Sequence, residues 1–181
     1  MRITCISGTN RHGSRTLQLT KIAQHIFSDC GAETTLLDLQ ALPPGLFTPE
    51  SYANKPDAFQ PFVDQVLNSD GLYVVAPEYN GSFPGVLKLF IDMLPFPESF
   101  EGRNVAFTGL AAGRFGNLRG IEQLQGIFGY RNARIFPQRL FIAAAHKVLQ
   151  DGELQDEELM GRLTKQIEAY CALVRHNLAA E

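Results

Sequence analysis

Cysteine is scarce in this sequence and has no recognisable spacing. The three cysteines, Cys5, Cys30 and Cys171, are odd in number, far apart and each placed in an apolar stretch. Disulfide-stabilised proteins and structural zinc sites carry their cysteines in closely spaced groups instead. We therefore expect three buried thiols that act as small apolar side chains.

A long apolar run and a surplus of basic residues are also missing. No segment approaches the roughly 18 uninterrupted apolar residues that cross a membrane, and the apolar run behind Met1 is too short for a signal peptide. The 16 basic and 19 acidic residues give a net charge of -3, whereas nucleic-acid-binding proteins carry a basic surplus. We expect a soluble cytoplasmic protein with neither a membrane nor a nucleic acid as partner.

What the sequence does contain is an alternation of strand and helix patterns. Its 181 residues, 45% of them hydrophobic, suit a single domain over residues 1–181. Five apolar, β-prone segments are predicted strands, namely Arg2–Ser7, Glu33–Asp38, Leu72–Ala76, Asn104–Thr108 and Ala133–Phe136. Segments with helical spacing lie at 14–30, 56–67, 85–94, 118–128 and 156–178. Apolar strands separated by helices predict a doubly wound α/β domain around a parallel sheet.

The loop after the first strand, Gly8 to Ser14, has the composition of a phosphate site. It lacks both the three glycines of the dinucleotide fingerprint and the Gly-Lys-Ser/Thr of a Walker loop, but it offers the hydroxyls of Thr9, Ser14 and Thr16. With the Arg11 guanidinium and the backbone N–H groups of a helix start, these can donate to phosphate oxygens. Alternatively, the hydroxyls only cap the helix. The position favours phosphate, because doubly wound sheets bind ligands beyond the carboxyl ends of their strands.

The loop after the third strand runs from Pro77 to Gly85 and combines prolines and glycines with an aromatic and an amide side chain. Such a composition can hold backbone groups rigidly against a flat ligand. A plain turn in which Pro84 starts a helix is the alternative. That alternative gives no reason for Glu78, Tyr79 and Asn80, so we favour a ring-binding loop.

Two motifs in these loops make the chain resemble the NADPH-dependent FMN reductase family, which also contains azo-dye, quinone and chromate reductases. The family's phosphate motif, approximately G-S-x-R-x-x-S-x-N, is matched by Gly8, Thr9, Arg11, Ser14 and Thr16, with threonine replacing serine and asparagine. The second motif, P-E-Y-N-G-S-x-P-G-x-L-K-N-A-I-D, is matched from Pro77 to Lys88 and at Ile91 and Asp92, with Leu89 and Phe90 replacing Asn-Ala.

The resemblance covers the whole chain in the order and spacing of its elements, and it implies a flavodoxin-like fold. The expected sheet has five parallel strands in the order 2-1-3-4-5 with helices on both faces. The resemblance also implies FMN as cofactor and a third loop, Gly109 to Gly116, along the ring edge, although composition alone equally suits a flexible connection. The implied FMN contacts are Gly8, Thr9, Arg11, Ser14, Arg15, Thr16, Pro77, Glu78, Tyr79, Asn80, Gly81, Ser82, Gly109, Leu110, Ala111 and Gly113.

The chemistry implied by the resemblance needs no catalytic side chain, because the flavin itself carries the hydride. We expect NADPH or NADH to give hydride to N5 of FMN, leave, and be replaced by a small oxidised acceptor. That acceptor is a quinone, a free flavin, an azo compound or a metal oxyanion. Glu78 is expected to shape its loop rather than to act as an acid. From its charge and loop position, Arg114 is expected to contact the phosphates of the nicotinamide nucleotide.

Two alternatives to a reductase remain, together with one expectation about assembly. A flavodoxin-like one-electron carrier would be strongly acidic, and its first loop would read T-x-T-G-x-T, which this chain lacks. A cofactor-free binding module would share the fold without the activity. The nearly all-apolar helix from Gly85 to Leu94 and the aromatic run from Phe96 to Phe100 predict the contact of a homodimer or homotetramer.

Overall fold

The computed structural model describes residues 1–180 and has a central parallel sheet. Its strands are β1 (Arg2–Ser7), β2 (Glu33–Asp38), β3 (Gly71–Pro77), β4 (Asn104–Leu110), β5 (Arg134–Ile135) and β6 (Leu140–Ile142). The order is β2-β1-β3-β4-β5, and β6 also pairs with β4. The predicted doubly wound sheet and its strand order are confirmed.

Helices cover both faces of this sheet. They are α1 (Arg15–Asp29), α2 (Gln60–Leu67), α3 (Gly85–Met93), α4 (Leu118–Tyr130), α5 (Ala145–Val148) and α6 (Glu157–Ala179). One hydrophobic cluster joins α2, α3 and α4 to the sheet, and a second joins α1 and α6 to the other face. Every residue of β3 and β4 is buried between them, which accounts for their mostly apolar sequences. None of the helices within residues 1–180 is long and apolar enough to cross a bilayer.

The predicted fifth strand, Ala133–Phe136, is present as the two-residue strand β5, whereas β6 beyond it was not predicted. Asn104 of β4 faces Arg134, whereas Thr108 faces Leu140, so the outer segment is two residues longer than its partner. The chain bends at Pro137 between the two segments, and Pro137 has no N–H group for the ladder. Also missed were α5 and a hairpin of β7 (Leu149–Gln150) and β8 (Glu153–Leu154), because such short elements carry no periodicity to read.

The apolar helix α3 is accounted for within a single chain. Its side chains Leu87, Phe90 and Ile91 are buried in the cluster that covers one face of the sheet. Its low polarity therefore needs no partner subunit, while Phe96 just beyond it remains 67% exposed. The predicted homo-oligomer stays a prediction.

Burial of the cysteines follows the prediction at two of three positions. Cys5 and Cys171 are buried, whereas Cys30, at the C-terminal end of α1, is partly exposed. Burial raises the pKa of the Cys171 thiol to about 12 and also raises the pKa of the Cys5 thiol. The expectation of full burial was wrong for Cys30 because α1 ends there and leaves its last turn at the surface.

Candidate functional site

An open groove lies at the carboxyl ends of β1, β3 and β4. It occupies the switch point, where the chain leaves β1 in one direction and β3 in the other, the usual ligand position in this architecture. All three loops named from the sequence contribute to it. The residues that line it are Arg11, His12, Gly13, Ser14, Arg15, Thr16, Pro77, Glu78, Tyr79, Leu110, Ala111, Ala112, Ala145 and His146.

The first loop presents a row of free backbone donors. The Oγ of Ser14 caps α1 by accepting the Leu17 N–H group at 3.1 Å, so the helix-cap interpretation is correct as far as it goes. The cap leaves the backbone N–H groups of residues 12–16 without an acceptor anywhere in residues 1–180. These groups stand at the positive end of a helix dipole, where an anion is stabilised.

Positive side chains surround the same place. Arg11 and Arg15 line the groove and form no ion pair with a carboxylate within the described chain. Arg15 is oriented by a hydrogen bond from its Nε to the carbonyl of Leu149 at 3.3 Å. His12 and His146 also line the groove, although no pattern had marked them. His12 belongs to the first loop and could have been identified with it. His146 reaches the groove only because the four-residue helix α5 places it there.

The first and second loops are joined through one pair of hydroxyls. Thr9 is buried, and its Oγ1 lies 2.9 Å from the Tyr79 hydroxyl. The same oxygen accepts the Arg11 N–H group at 3.3 Å. Thr9 therefore holds the two loops together beneath the groove and does not line it, unlike Tyr79.

The second loop is closed by a tight turn at Asn80 and Gly81. Tyr79 donates its N–H to the Ser82 carbonyl at 2.8 Å, and Ser82 returns the bond at 3.1 Å. Asn80 and Gly81 have φ values of 53° and 75°, the left-handed pair that asparagine and glycine adopt most readily. Pro77, Glu78 and Tyr79 face the groove, whereas residues 80–82 form the turn beside it.

The third loop is hydrogen-bonded to the segments that follow β4. Ala111 donates its N–H to the Ile142 carbonyl at 3.0 Å, and Ala145 donates back to the Ala111 carbonyl at 2.9 Å. The Ala144 N–H reaches the Gly113 carbonyl at 3.2 Å. These bonds connect the loop to β6 and α5.

Asn117 connects the third loop to the second and was not found from the sequence. It is buried with a φ of 69°, and its Nδ2 donates to the carbonyls of Ala76 and Pro77 at 2.9 and 3.0 Å. These two carbonyls end β3, from which the second loop departs. A Gly-Asn pair just before a helix is the signal that marks such a residue.

Two of the predicted glycines serve close packing below the groove. A Cβ atom on Gly8 would lie 2.8 Å from the Val75 carbonyl oxygen, and one on Gly109 would meet the Gly116 carbonyl. Neither lines the groove. The predicted residues that line it are Arg11, Ser14, Arg15, Thr16, Pro77, Glu78, Tyr79, Leu110 and Ala111. The predicted residues outside its lining are Gly8, Thr9, Asn80, Gly81, Ser82, Gly109, Gly113 and Arg114.

The chemistry of the lining suits a flavin mononucleotide. Free N–H groups and guanidinium groups at one end match a phosphate monoester. Apolar surface from Pro77, Leu110 and Ala111, beside the half-exposed Tyr79 ring, matches a flat heteroaromatic ring at the other end.

Comparison with known proteins agrees with this chemistry. The family model of NADPH-dependent FMN reductases matches residues 1–147. The chain is 29% identical to an NAD(P)H-dependent FMN reductase of Pseudomonas aeruginosa, covering 97% of this chain and 96% of that one. It is 27% identical to a 2-hydroxy-1,4-benzoquinone reductase of a Burkholderia species, covering 97% of both.

A solved structure is similar in fold. The flavoenzyme NAD(P)H:acceptor oxidoreductase of Paracoccus denitrificans superposes with a TM-score of 0.80 at 23% identity, over 97% of each chain. At that identity the similarity shows the fold alone. Through the family model, the chain belongs to the NADPH-dependent FMN reductase family and is an FMN-linked oxidoreductase with NAD(P)H as co-substrate.

Proposed function

We propose that this chain reduces small quinones with NAD(P)H through FMN held in the groove at the ends of β1, β3 and β4. The observation that carries the proposal is the set of free backbone N–H groups at residues 12–16, flanked by Arg11 and Arg15. Bound FMN supplies the redox chemistry, because it accepts a hydride from NAD(P)H and passes two electrons with protons to an oxidised acceptor.

In this proposal the first loop holds the phosphate. The backbone N–H groups at the start of α1 donate to its oxygens, and the Ser14 hydroxyl, which accepts from Leu17, keeps its own proton free to donate outward. Arg11 and Arg15 add charge-assisted bonds, worth about twice a neutral hydrogen bond. Thr16, buried in the first turn of α1, completes the set.

The second and third loops frame the ring. Pro77, Leu110 and Ala111 provide apolar contact, and Tyr79 stands at the edge. The backbone N–H groups of residues 80, 81, 112 and 113 have no acceptor in the described part of the chain. Preorganised donors of this kind stabilise negative charge that develops on a reduced ring. Of the predicted contacts, Asn80, Gly81 and Gly113 belong to this proposal as backbone contacts. Ser82 belongs to it as the residue that closes the turn, and Gly8, Thr9 and Gly109 as support beneath the groove.

Glu78 shapes its loop through the backbone. Its N–H group donates to the Leu110 carbonyl at 3.0 Å, which fixes the second loop against the end of β4. Its carboxylate forms no hydrogen bond or ion pair within residues 1–180. Because nothing orients this carboxylate, we assign it no part in proton transfer.

A quinone acceptor is supported by the hydroxybenzoquinone reductase among the relatives. Free flavins, azo compounds and metal oxyanions stay in the proposal as further acceptors, because electron transfer from a reduced flavin requires few specific side chains of the protein. We also propose that Arg114 contacts the nicotinamide nucleotide. The proposed assembly is a homodimer or homotetramer. Free thiols and a nicotinamide co-substrate fit the cytoplasm.

An anaerobic titration of the FMN-loaded protein with NADPH or NADH tests the proposal. We expect the flavin absorbance near 450 nm to bleach with one equivalent of nucleotide and to return on addition of a benzoquinone. A one-electron carrier would stay oxidised with nucleotide alone, and a cofactor-free module would not retain FMN. Either of these results would overturn the proposed function.

A further inference from the structure

Two of the three cysteines are far apart in the sequence but close together in the structure. Cys30 is the C-cap of α1, and Cys171 lies on α6. Cys171 belongs to the hydrophobic cluster that packs these two helices on one face of the sheet, and Cys30 packs against that cluster. Burial is the main reason why the pKa of the Cys171 thiol is raised, and the neighbouring Cys30 thiol raises it further by its charge and by a hydrogen bond. The two sulfur atoms therefore lie within reach of each other.

A contact that does not involve either thiol places the same two segments together. Arg175 follows Cys171 by one helical turn, so both side chains lie on one face of α6. The Arg175 guanidinium donates a hydrogen bond to the Cys30 carbonyl, one of the carbonyl groups that the end of α1 leaves without an intrahelical partner. The end of α1 is thereby held against the turn of α6 that carries Cys171.

The two thiols differ in their access to solvent. Cys171 is 1% exposed, whereas Cys30 is partly exposed at the end of its helix. Burial also keeps the Cys171 thiol protonated at neutral pH, and a buried protonated thiol is inert towards reagents in solution. A soluble oxidant therefore reaches Cys30 first and leaves Cys171 as the group that reacts with the product at Cys30.

We propose that Cys30 and Cys171 form a peroxide-sensitive pair that oxidises to a reversible disulfide between α1 and α6. The Cys30 sulfur first attacks hydrogen peroxide, so an S–O bond forms, the O–O bond breaks, and the thiol proton leaves with the released hydroxide as water. The Cys171 sulfur then attacks the sulfenic acid, so an S–S bond forms, the S–O bond breaks, and the Cys171 proton leaves in a second water. The two thiols lose two electrons, which hydrogen peroxide accepts. Cellular thiols reduce the bond again.

The bond is expected to change the stability of the protein but not its cofactor groove. It joins two residues near opposite ends of the chain, and a cross-link over so long a loop strongly restricts the unfolded chain. We therefore expect the oxidised protein to unfold at a temperature at least about 5 °C higher. The linked end of α1 lies about 20 Å from Arg15 at its start, at a rise of about 1.5 Å per residue, so the affinity for FMN should not change.

Mass spectrometry of the purified full-length protein after treatment with hydrogen peroxide tests the pair. We expect the three free thiols to fall to one, and one digested peptide to contain Cys30 linked to Cys171. Dithiothreitol should restore all three thiols. Cys5→Ala removes the third cysteine, which is fully buried on β1, and is the matched control in which the same link should form.

Two single variants separate the roles of the pair. In Cys171→Ala the product at Cys30 has no second thiol to react with, so we expect a sulfenic acid there that dimedone traps. In Cys30→Ser the buried Cys171 should stay reduced at the same peroxide concentration. Peroxide should raise the unfolding temperature of the wild type and of Cys5→Ala, and of neither of these two variants.

Three results would overturn the inference: peroxide leaves all wild-type thiols free, Cys30 stops at a sulfinic acid without a link to Cys171, or Cys30 forms a disulfide between two copies of the chain. The peptide map of the wild type decides among them even if a variant fails to fold. FMN binding and NAD(P)H oxidation play no part in these measurements, so a failure of the proposed function and a failure of this inference are distinguishable.

Discussion

The hydroxyl oxygens of Thr9 and Tyr79 lie 2.9 Å apart, although 70 positions separate the residues in the chain. One belongs to the phosphate loop and the other to the ring loop. Their bond therefore fixes the distance between the two ends of the proposed cofactor site. Within residues 1–180 no other side-chain hydrogen bond joins the two loops, and the first prediction concerns this bond.

Thr9→Val and Tyr79→Phe each remove one hydroxyl of the pair and keep the shape. We expect Tyr79→Phe to weaken FMN binding about fivefold, because a single hydrogen bond contributes about 1 kcal/mol, and Thr9→Val to weaken it more, because its Oγ1 also accepts the Arg11 N–H group. The double variant should be no worse than the poorer single variant, since both remove the same bond. Fluorescence titration with FMN gives the three dissociation constants, and losses that simply add would contradict a shared role.

Asn117 is predicted to stabilise the end of β3. Asn117→Ala removes its two hydrogen bonds to the carbonyls of Ala76 and Pro77, so the free energy of unfolding should fall by about 2–3 kcal/mol. Asn117→Gly loses the same bonds but accepts the left-handed φ of 69°, and should be less harmful by about 1 kcal/mol. Urea denaturation measures both, and an alanine variant as stable as the wild type would refute the role.

A substitution at Gly81 tests the importance of the tight turn in the second loop. Its φ is 75°, and a Cβ atom there would meet no other atom within 4 Å. Gly81→Ala therefore adds backbone strain of about 1 kcal/mol without a clash. We expect weaker FMN binding with nearly unchanged fold, seen as a raised dissociation constant and a normal circular dichroism spectrum. Gly161→Ala, at another open position, is the matched control and should bind FMN like the wild type.

The thiols should differ in reactivity because burial raises the pKa of Cys5 and, to about 12, that of Cys171. At pH 8 we expect Cys30 alone to react with a thiol reagent in the native protein, and all three after denaturation. A folded-state pKa above the unfolded one stabilises the protein below the unfolded pKa. The free energy of unfolding should therefore fall as the pH rises from about 9 towards 12. Fast labelling of all three native thiols would contradict this burial.

The sequence was sufficient to predict the sheet and the two loops that have a distinctive composition, Gly8 to Ser14 and Pro77 to Gly85. β3 and β4 are mostly apolar, and Asn80-Gly81 is a residue pair typical of a tight turn, so local chemistry dictates both. His146 and Asn117 could not be found in the same way. Their positions depend on α5 and on a left-handed residue before α4, which are set by tertiary contacts rather than by periodicity. The separation of β5 from β6 at Pro137 can be recognised only once the pairing of both strands with β4 is known.

The proposed function requires a phosphate bound at the free N–H groups of residues 12–16. A comparison of FMN with riboflavin, which lacks the phosphate, tests this in one measurement of two dissociation constants. We expect FMN to bind at least about 100-fold more tightly, as several charge-assisted bonds require, and Arg15→Ala to reduce that ratio. Equal affinity for FMN and riboflavin would contradict the account.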